Sequence, residues 1–157
     1  MPRRLSPGRK GMSSRSKGKT LPRVLFIVYC AIMLWLLFGQ RWGDRSALTD
    51  AHMNINLIPF KTITQYISLL DNEAFRTHAI INLVGNVLVF VPLGYFLPKI
   101  WKGFRLLFVT ILTVAMLMIV VEFLQYATGL GSCDIDDLIL NVAGTLIGYL
   151  IWLIKKR

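Results

Sequence analysis

The sequence predicts an all-α membrane protein, a single bundle of four transmembrane helices with a short interfacial helix in one loop. Three observations lead to this fold class. Hydrophobic residues make up 55% of the 157 residues, which is more than an ordinary soluble domain carries. Four apolar stretches approach the length that a bilayer requires, and the basic residues cluster on alternate sides of them.

The four stretches are residues 24–40, 79–97, 105–126 and 138–154. A transmembrane helix needs about 20 apolar residues at a rise of about 1.5 Å each. The first stretch follows a basic segment, as a signal peptide would, but no small-residue cleavage site follows it, so we expect an uncleaved helix. The predicted organisation is a disordered basic cytoplasmic tail (1–23) and a membrane domain (24–157), whose motifs lie within 54–149.

The charges predict the orientation of the bundle. Of the 18 Lys and Arg residues, eight precede Val24, three are Lys99, Lys102 and Arg105, and three occupy 155–157. Basic residues mark cytoplasmic loops, so both termini are expected in the cytoplasm of a bacterial cell and all eight acids on the outer side. The net charge of +10 is therefore interpreted as a cytoplasmic face and not as a nucleic-acid surface.

The first outer loop, residues 41–78, carries its own apolar pattern. Ile63, Tyr66, Ile67 and Leu70 recur at helical spacing, after an apolar turn that contains Pro59. This pattern predicts a short amphipathic helix on the outer membrane face, in the position of a lid.

Polar side chains of three predicted helices fall at one depth, in the outer third of the bilayer. Within each helix they share one face, at i,i+3 or i,i+4 spacing. Placing them in lipid would cost several kcal/mol each, so we expect them to face one another across a polar pocket. The set at this depth comprises Asn82, Asn86, Glu122, Gln125 and Asn141. Asp134 and Asp137 share the helix face of Asn141, at the outer end of the fourth helix.

Simpler interpretations exist for some of these residues. Asp134 is a suitable N-cap for the fourth helix, and Asp136 and Asp137 would lie in its first turn, where the helix dipole favours anions. Asn82 and Asn86 would serve equally as interhelical hydrogen-bonding groups. Gly144 and Gly148 form a small-xxx-small pair that predicts close packing of the fourth helix against a neighbour, either in the same chain or in a homo-oligomer.

The motifs, in order, are Asn56-x-x-Pro-Phe, Asn82-x-x-x-Asn86, Glu122-x-x-Gln125 and Asp134-x-Asp136-Asp137-x-x-x-Asn141. This series resembles the VanZ-like family of bacterial membrane proteins. The resemblance implies an envelope protein connected with low-level teicoplanin resistance. Many members carry an arginine and an aromatic residue shortly before the first aspartate, where this chain has Leu130-Gly131-Ser132-Cys133.

Two functions from different classes fit these features. In the first, the pocket binds or shields a lipid-linked cell-wall component or a lipoglycopeptide, with membrane lipids as its other partners. The second is a metal-assisted enzyme for a lipid-linked envelope substrate. In the first case the ligand-binding residues are Asn82, Asn86, Gln125, Asp136 and Asn141.

In the second case Glu122, Asp134 and Asp137 are the candidate catalytic residues, and Asp134 and Asp137 the candidate ligands for Mg²⁺ or Ca²⁺. A transporter ranks third, because no ionisable residue is expected in the middle or inner part of the membrane.

Overall fold

The computed structural model describes residues 14–39, 55–129 and 133–156. Within these ranges, four long helices are apolar enough to cross a membrane, which confirms the predicted fold class. A fifth, shorter helix lies in the first loop. The helices are α1 (Ser14–Leu34), α2 (Lys61–Ser68), α3 (Glu73–Ile100), α4 (Leu107–Ala127) and α5 (Ile135–Lys156).

Short elements complete the described chain. A π-helical turn, Trp35–Gly39, extends α1, and 3₁₀ turns at Leu69–Asp71 and Lys102–Arg105 follow α2 and α3. Two-residue strands, β1 (Ile55–Asn56) and β2 (Cys133–Asp134), pair in parallel. This pairing joins the first loop to the segment directly before α5.

The amino-terminal boundary differs from the prediction. The sequence predicts a disordered tail as far as residue 23, whereas α1 begins at Ser14. Extending an existing helix costs little compared with nucleating one, so the apolar span can propagate its helix backwards into the basic segment. The first 13 residues of the predicted tail lie outside the described part of the chain.

The helices α3 and α5 begin earlier than the hydropathy pattern indicates, because a capping residue stabilises the first turn of each. The side chain of Asn72 accepts a hydrogen bond from the Ala74 amide at 3.0 Å. The side chain of Asp134 accepts one from the Asp136 amide at 2.9 Å. Each bond satisfies an otherwise unpaired donor in the first turn of its helix, which stabilises the earlier start.

The closest helix packing joins α3 to α5 through three buried glycines. A Cβ atom on Gly94 would lie 1.9 Å from the Thr145 carbonyl oxygen, and one on Gly144 would lie 2.0 Å from that of Val87. Gly148 approaches the Val91 carbonyl in the same way. The predicted glycine pair therefore packs against a helix of the same chain, and these glycines are not available as the homo-oligomer interface.

The first helix packs against α3 at a small apolar core. The Tyr29 hydroxyl donates a hydrogen bond to the Val89 carbonyl at 2.8 Å. Met33 of α1, Phe90 of α3 and Met118 of α4 belong to one buried cluster. In contrast, Phe108 and Phe123 are 71% and 65% exposed. Apolar side chains on the outside of a helical bundle are expected where lipid surrounds it.

Basic residues near the end of α3, the start of α4 and the end of α5 lie at one end of the bundle, whereas Lys61 and Arg76 lie in α2 and at the start of α3. Lys99 and Lys155 lie over the ring of Tyr95, 4.7 Å and 5.7 Å from its centre. The Tyr149 hydroxyl donates a 2.5 Å hydrogen bond to the Arg105 carbonyl just before α4. The end of α3, the start of α4 and the end of α5 therefore meet at this basic end.

Candidate functional site

A cavity of about 280 Å³ lies at the opposite end of the bundle from these basic residues. Its walls come from the π turn after α1, the first half of α3, the second half of α4 and the start of α5. The polar residues that line it are Asn82, Asn86, Glu122, Gln125, Asp137 and Asn141. The apolar lining includes Leu36, Leu37, Ile81, Val89, Phe90 and Met118, together with Gly85. We call this space the polar cavity.

Three amide side chains of the polar cavity donate hydrogen bonds to the protein itself. Asn86 Nδ2 donates to Asp137 Oδ1 at 2.6 Å and connects α3 to α5. Gln125 Nε2 donates to the Leu37 carbonyl at 2.8 Å and connects α4 to the π turn. Asn82 Nδ2 donates to the His78 carbonyl one turn earlier in α3. Two of these bonds therefore fix the cavity wall across different helices.

Glu122 and Asn141 are the deeply buried polar groups of the polar cavity. Glu122 is 6% exposed, and its Oε2 accepts a hydrogen bond from the Asp134 amide at 3.2 Å. Asn141 is 2% exposed, and its buried Oδ1 accepts no hydrogen bond from any residue that the structure describes. A buried acceptor without a partner costs about 1–3 kcal/mol. Among the described residues, Asn141 Oδ1 is thus a buried acceptor without a partner at this site.

Asp134 lies beside the polar cavity and joins α5 to the first loop. Asn56 Nδ2 donates to its Oδ1 at 3.0 Å, and Thr62 Oγ1 donates to its Oδ2 at 2.6 Å. Its Oδ1 also caps α5 by accepting from Asp136. Both carboxylate oxygens therefore have partners within the protein. We call the contacts of Asn56, Thr62, Asp134 and Asp136 the loop junction.

Asp136 caps α2, a helix that lies more than 60 residues earlier in the chain. Its Oδ2 accepts from the amides of Thr62 at 2.7 Å and Ile63 at 3.0 Å, and its Oδ1 accepts from Phe60 at 2.6 Å. Phe60 has a positive φ of 64°, which is an unfavourable conformation for a bulky side chain. The bond to Asp136 helps to hold this strained turn, because such conformations persist only where the surroundings fix them.

The structure therefore divides the predicted site residues into two groups. Six of them line one cavity, as described above, whereas Asp134 and Asp136 belong to the loop junction. For Asp134, the N-cap interpretation describes the observed contact. The predicted roles of all eight residues in binding or catalysis stay predictions.

The arrangement of the acidic side chains is relevant to the predicted Mg²⁺ or Ca²⁺ site. Within the described ranges, no three His, Cys, Asp or Glu side chains are arranged to hold a metal ion. Asp134 already has partners on both oxygens, and it contacts the loop while Asp137 faces the cavity. These two aspartates therefore do not present a shared, open set of oxygen ligands.

Cys133 lies next to this site, in β2. Burial, followed by the nearby charges of Glu122 and Asp134, raises the pKa of the Cys133 thiol. This side chain is therefore mainly the neutral thiol at neutral pH. Residues 130–132, where many family members carry their arginine, lie outside the described residues.

Sequence reasoning missed several residues of the site. Thr62 shows no recognisable signal in the sequence, because it acts through its backbone amide and its hydroxyl at a tertiary contact. Phe60 ends the Asn56-x-x-Pro-Phe motif, but its strained backbone conformation has no signal in the sequence. Asn56 appeared only as part of a family motif. Gly85 lines the polar cavity, and a Cβ atom there would meet nothing within 4 Å. Its position i+3 from Asn82 and next to Asn86 is the one sequence clue to its place on the cavity face.

Comparisons with known proteins agree with these motifs. The chain is 28% identical over 134 residues to Protein VanZ of Enterococcus faecium, a match that covers 83% of this chain and 73% of that protein. No solved structure matches the chain. A family model described as VanZ/LLP1 matches residues 24–156, which include the second half of α1, the whole of α3, α4 and α5, and the residues that line the polar cavity. This protein belongs to the VanZ/LLP1 family of membrane proteins.

Proposed function

We propose that the polar cavity binds a lipid-linked cell-wall component or a lipoglycopeptide and thereby shields the envelope from a glycopeptide such as teicoplanin. The observation that carries this proposal is the cavity itself. Buried and half-buried polar side chains from three helices meet there, at one end of a bundle whose outside is apolar. Polar groups inside a membrane bundle are costly and are usually kept for a function.

The proposed location is the bacterial cell membrane, with both termini in the cytoplasm. The basic end of the bundle would then face the cytoplasm, by the preference of cytoplasmic loops for Lys and Arg. The polar cavity and the loop junction would lie at the outer leaflet, where lipid-linked cell-wall components and lipoglycopeptides occur. The exposed apolar residues Leu57, Ile58 and Phe60 support a loop that rests on the outer membrane surface.

The metal-assisted enzyme has less support from the contacts. Asp134, one of its candidate metal ligands, bonds to Asn56 and Thr62 and caps α5. Glu122 and Asp137 are the two candidate catalytic carboxylates that line the polar cavity. We therefore propose binding as the function and assign no reaction.

The test fills the polar cavity without disturbing the helices. Gly85→Phe places a large side chain in the cavity, where the backbone leaves room for it. Gly103→Phe is the matched control, because Gly103 also has open space around its Cβ position but lies at the basic end.

We expect cells that express the wild-type chain or Gly103→Phe to tolerate more teicoplanin than cells with an empty vector. Gly85→Phe, at equal protein level in the membrane, should return tolerance to the empty-vector value. Tolerance that is unchanged by Gly85→Phe would contradict the proposal.

A further inference from the structure

Two lysines from different helices converge on one aromatic ring at the basic end of the bundle. The ammonium group of Lys99, in the last turn of α3, lies 4.7 Å from the centre of the Tyr95 ring and donates a 2.8 Å hydrogen bond to the Tyr95 hydroxyl. The ammonium group of Lys155, in the last turn of α5, lies 5.7 Å from the same ring centre. The two ammonium groups are therefore no more than about 10 Å apart, roughly one Debye length in 0.1 M salt, and they repel each other. We call Lys99 and Lys155 the lysine pair.

The helix dipoles explain why each lysine lies where it does, but they do not explain the convergence. A cation in the last turn of a helix interacts favourably with the carboxyl end of that helix. This effect does not require both long side chains to extend over the same tyrosine. The face of an aromatic ring attracts a cation, but the ring has no net charge and cannot neutralise two of them. The lysine pair therefore needs a counter-charge from another group.

The chain supplies no carboxylate side chain to the elements that meet at this end. No Asp or Glu occurs in residues 1–43, between Glu73 and Glu122, or after Asp137. These stretches contain α1, the end of α3, the first part of α4 and the end of α5. Within the described elements around the lysine pair, the counter-charge therefore has no source in the protein.

Exposed apolar side chains continue from the lysine pair toward the middle of the bundle. Leu88 precedes Tyr95 by seven residues and lies on the same face of α3, and Ile151 precedes Lys155 by four residues on the same face of α5. Both side chains are exposed. A charged region followed by an apolar strip matches an amphiphile with an anionic head and an acyl chain, whereas a soluble anion would use the charged region alone.

We propose that the lysine pair and the Tyr95 hydroxyl bind the phosphate of an anionic phospholipid, whose acyl chain lies along Leu88 and Ile151. The phosphate accepts hydrogen bonds from both ammonium groups and offsets their repulsion. The Tyr95 hydroxyl accepts from Lys99 and can donate its own proton to the phosphate. Basic pockets between transmembrane helices bind phosphate headgroups in this manner. The site is separate from the polar cavity and does not depend on the ligand of that cavity.

The test counts the lipids that the purified full chain retains. Wild-type protein in detergent receives equal amounts of phosphatidylglycerol and phosphatidylcholine with identical acyl chains, and native mass spectrometry measures how much of each stays bound. Identical chains leave the headgroup as the one difference, and the net charge of phosphatidylglycerol is negative whereas that of phosphatidylcholine is zero. Two lysine–phosphate contacts predict a preference for phosphatidylglycerol of about tenfold.

Two double variants separate the lysine pair from the general positive charge of this end. Lys99→Gln with Lys155→Gln should abolish the preference. Lys102→Gln with Lys156→Gln is the matched control, because it removes the same charge from the same end while Lys156 lies over Trp152 and not over Tyr95. The control should keep the preference to within about twofold, since salt screens charges that do not contact the phosphate.

Thermal unfolding in detergent micelles provides a second measurement. A lipid that binds the folded chain stabilises it, so phosphatidylglycerol should raise the melting temperature of wild type and control relative to phosphatidylcholine. It should not raise that of the Lys99→Gln, Lys155→Gln variant. Circular dichroism shows whether this variant folds. If it does not fold, the two single substitutions decide, and each should lower the preference about threefold.

Equal retention of the two lipids by wild type would overturn the inference. An equal loss of preference in both double variants would overturn it as well, because the lipid would then respond only to the total charge. Displacement of phosphatidylglycerol by millimolar inorganic phosphate, at constant ionic strength, would assign the lysine pair to a soluble anion and contradict a lipid site.

Discussion

The three aspartates at the start of α5 show how neighbouring residues of one type serve different purposes. Asp134 caps its own helix and contacts the loop, Asp136 caps α2, and Asp137 bonds to Asn86 in the wall of the polar cavity. The sequence places three acids at the start of α5, and capping of α5 uses one of them, Asp134. It does not reveal that Asp136 caps another helix, since that contact depends on the tertiary position of α2.

At the residue scale, Asp136→Ala should release α2 from the bundle. The change removes a carboxylate that accepts three backbone hydrogen bonds, and each bond to a charged group contributes about 1.5–3 kcal/mol. We expect amide hydrogen exchange in residues 60–68 to accelerate about tenfold or more, while α4 stays protected. Asp71→Ala, at an exposed acid just after α2, is the control. Unchanged exchange in α2 would show that Asp136 does not hold this helix.

At the element scale, hydropathy predicts the four long helices well because a membrane leaves few alternatives to an apolar helix of this length. The ends are predicted less well, since they depend on single capping residues such as Asn72. The glycines Gly144 and Gly148 indicate close packing, but a pattern in one chain does not say which helix approaches. In the structure the helix that approaches these glycines is α3, and Gly94 of α3 also lies at the interface.

The contact between α3 and α5 predicts a large difference between two glycine substitutions. Gly144→Ala places a Cβ 2.0 Å from the Val87 carbonyl oxygen, so the helices must separate, and such overpacking costs about 1–3 kcal/mol. Gly85→Ala has open space and should stabilise α3 slightly, through its better helix propensity. Thermal unfolding in detergent micelles measures both. Equal melting temperatures for the two variants would be inconsistent with this packing.

At the scale of the whole molecule, the bundle has two chemically different ends. Basic residues surround the ends of α3 and α5, whereas buried acids and amides occupy the other end. The alternating charge clusters predict this polarity from the sequence. The sequence also predicts the polar lining of the polar cavity, but not its size or its apolar lining, because these depend on how far the helices separate and on Leu36 and Leu37 in the π turn after α1.

The most direct test of the account is the accessibility of the polar cavity from outside the cell. In a chain that carries Cys30→Ala and Cys133→Ser, Gly85→Cys should react with a membrane-impermeant maleimide added to intact cells. Lys156→Cys, at the basic end, should react only after the membrane is permeabilised. Labelling of Lys156→Cys in intact cells, together with an unreactive Gly85→Cys, would contradict a cavity that opens to the outer leaflet.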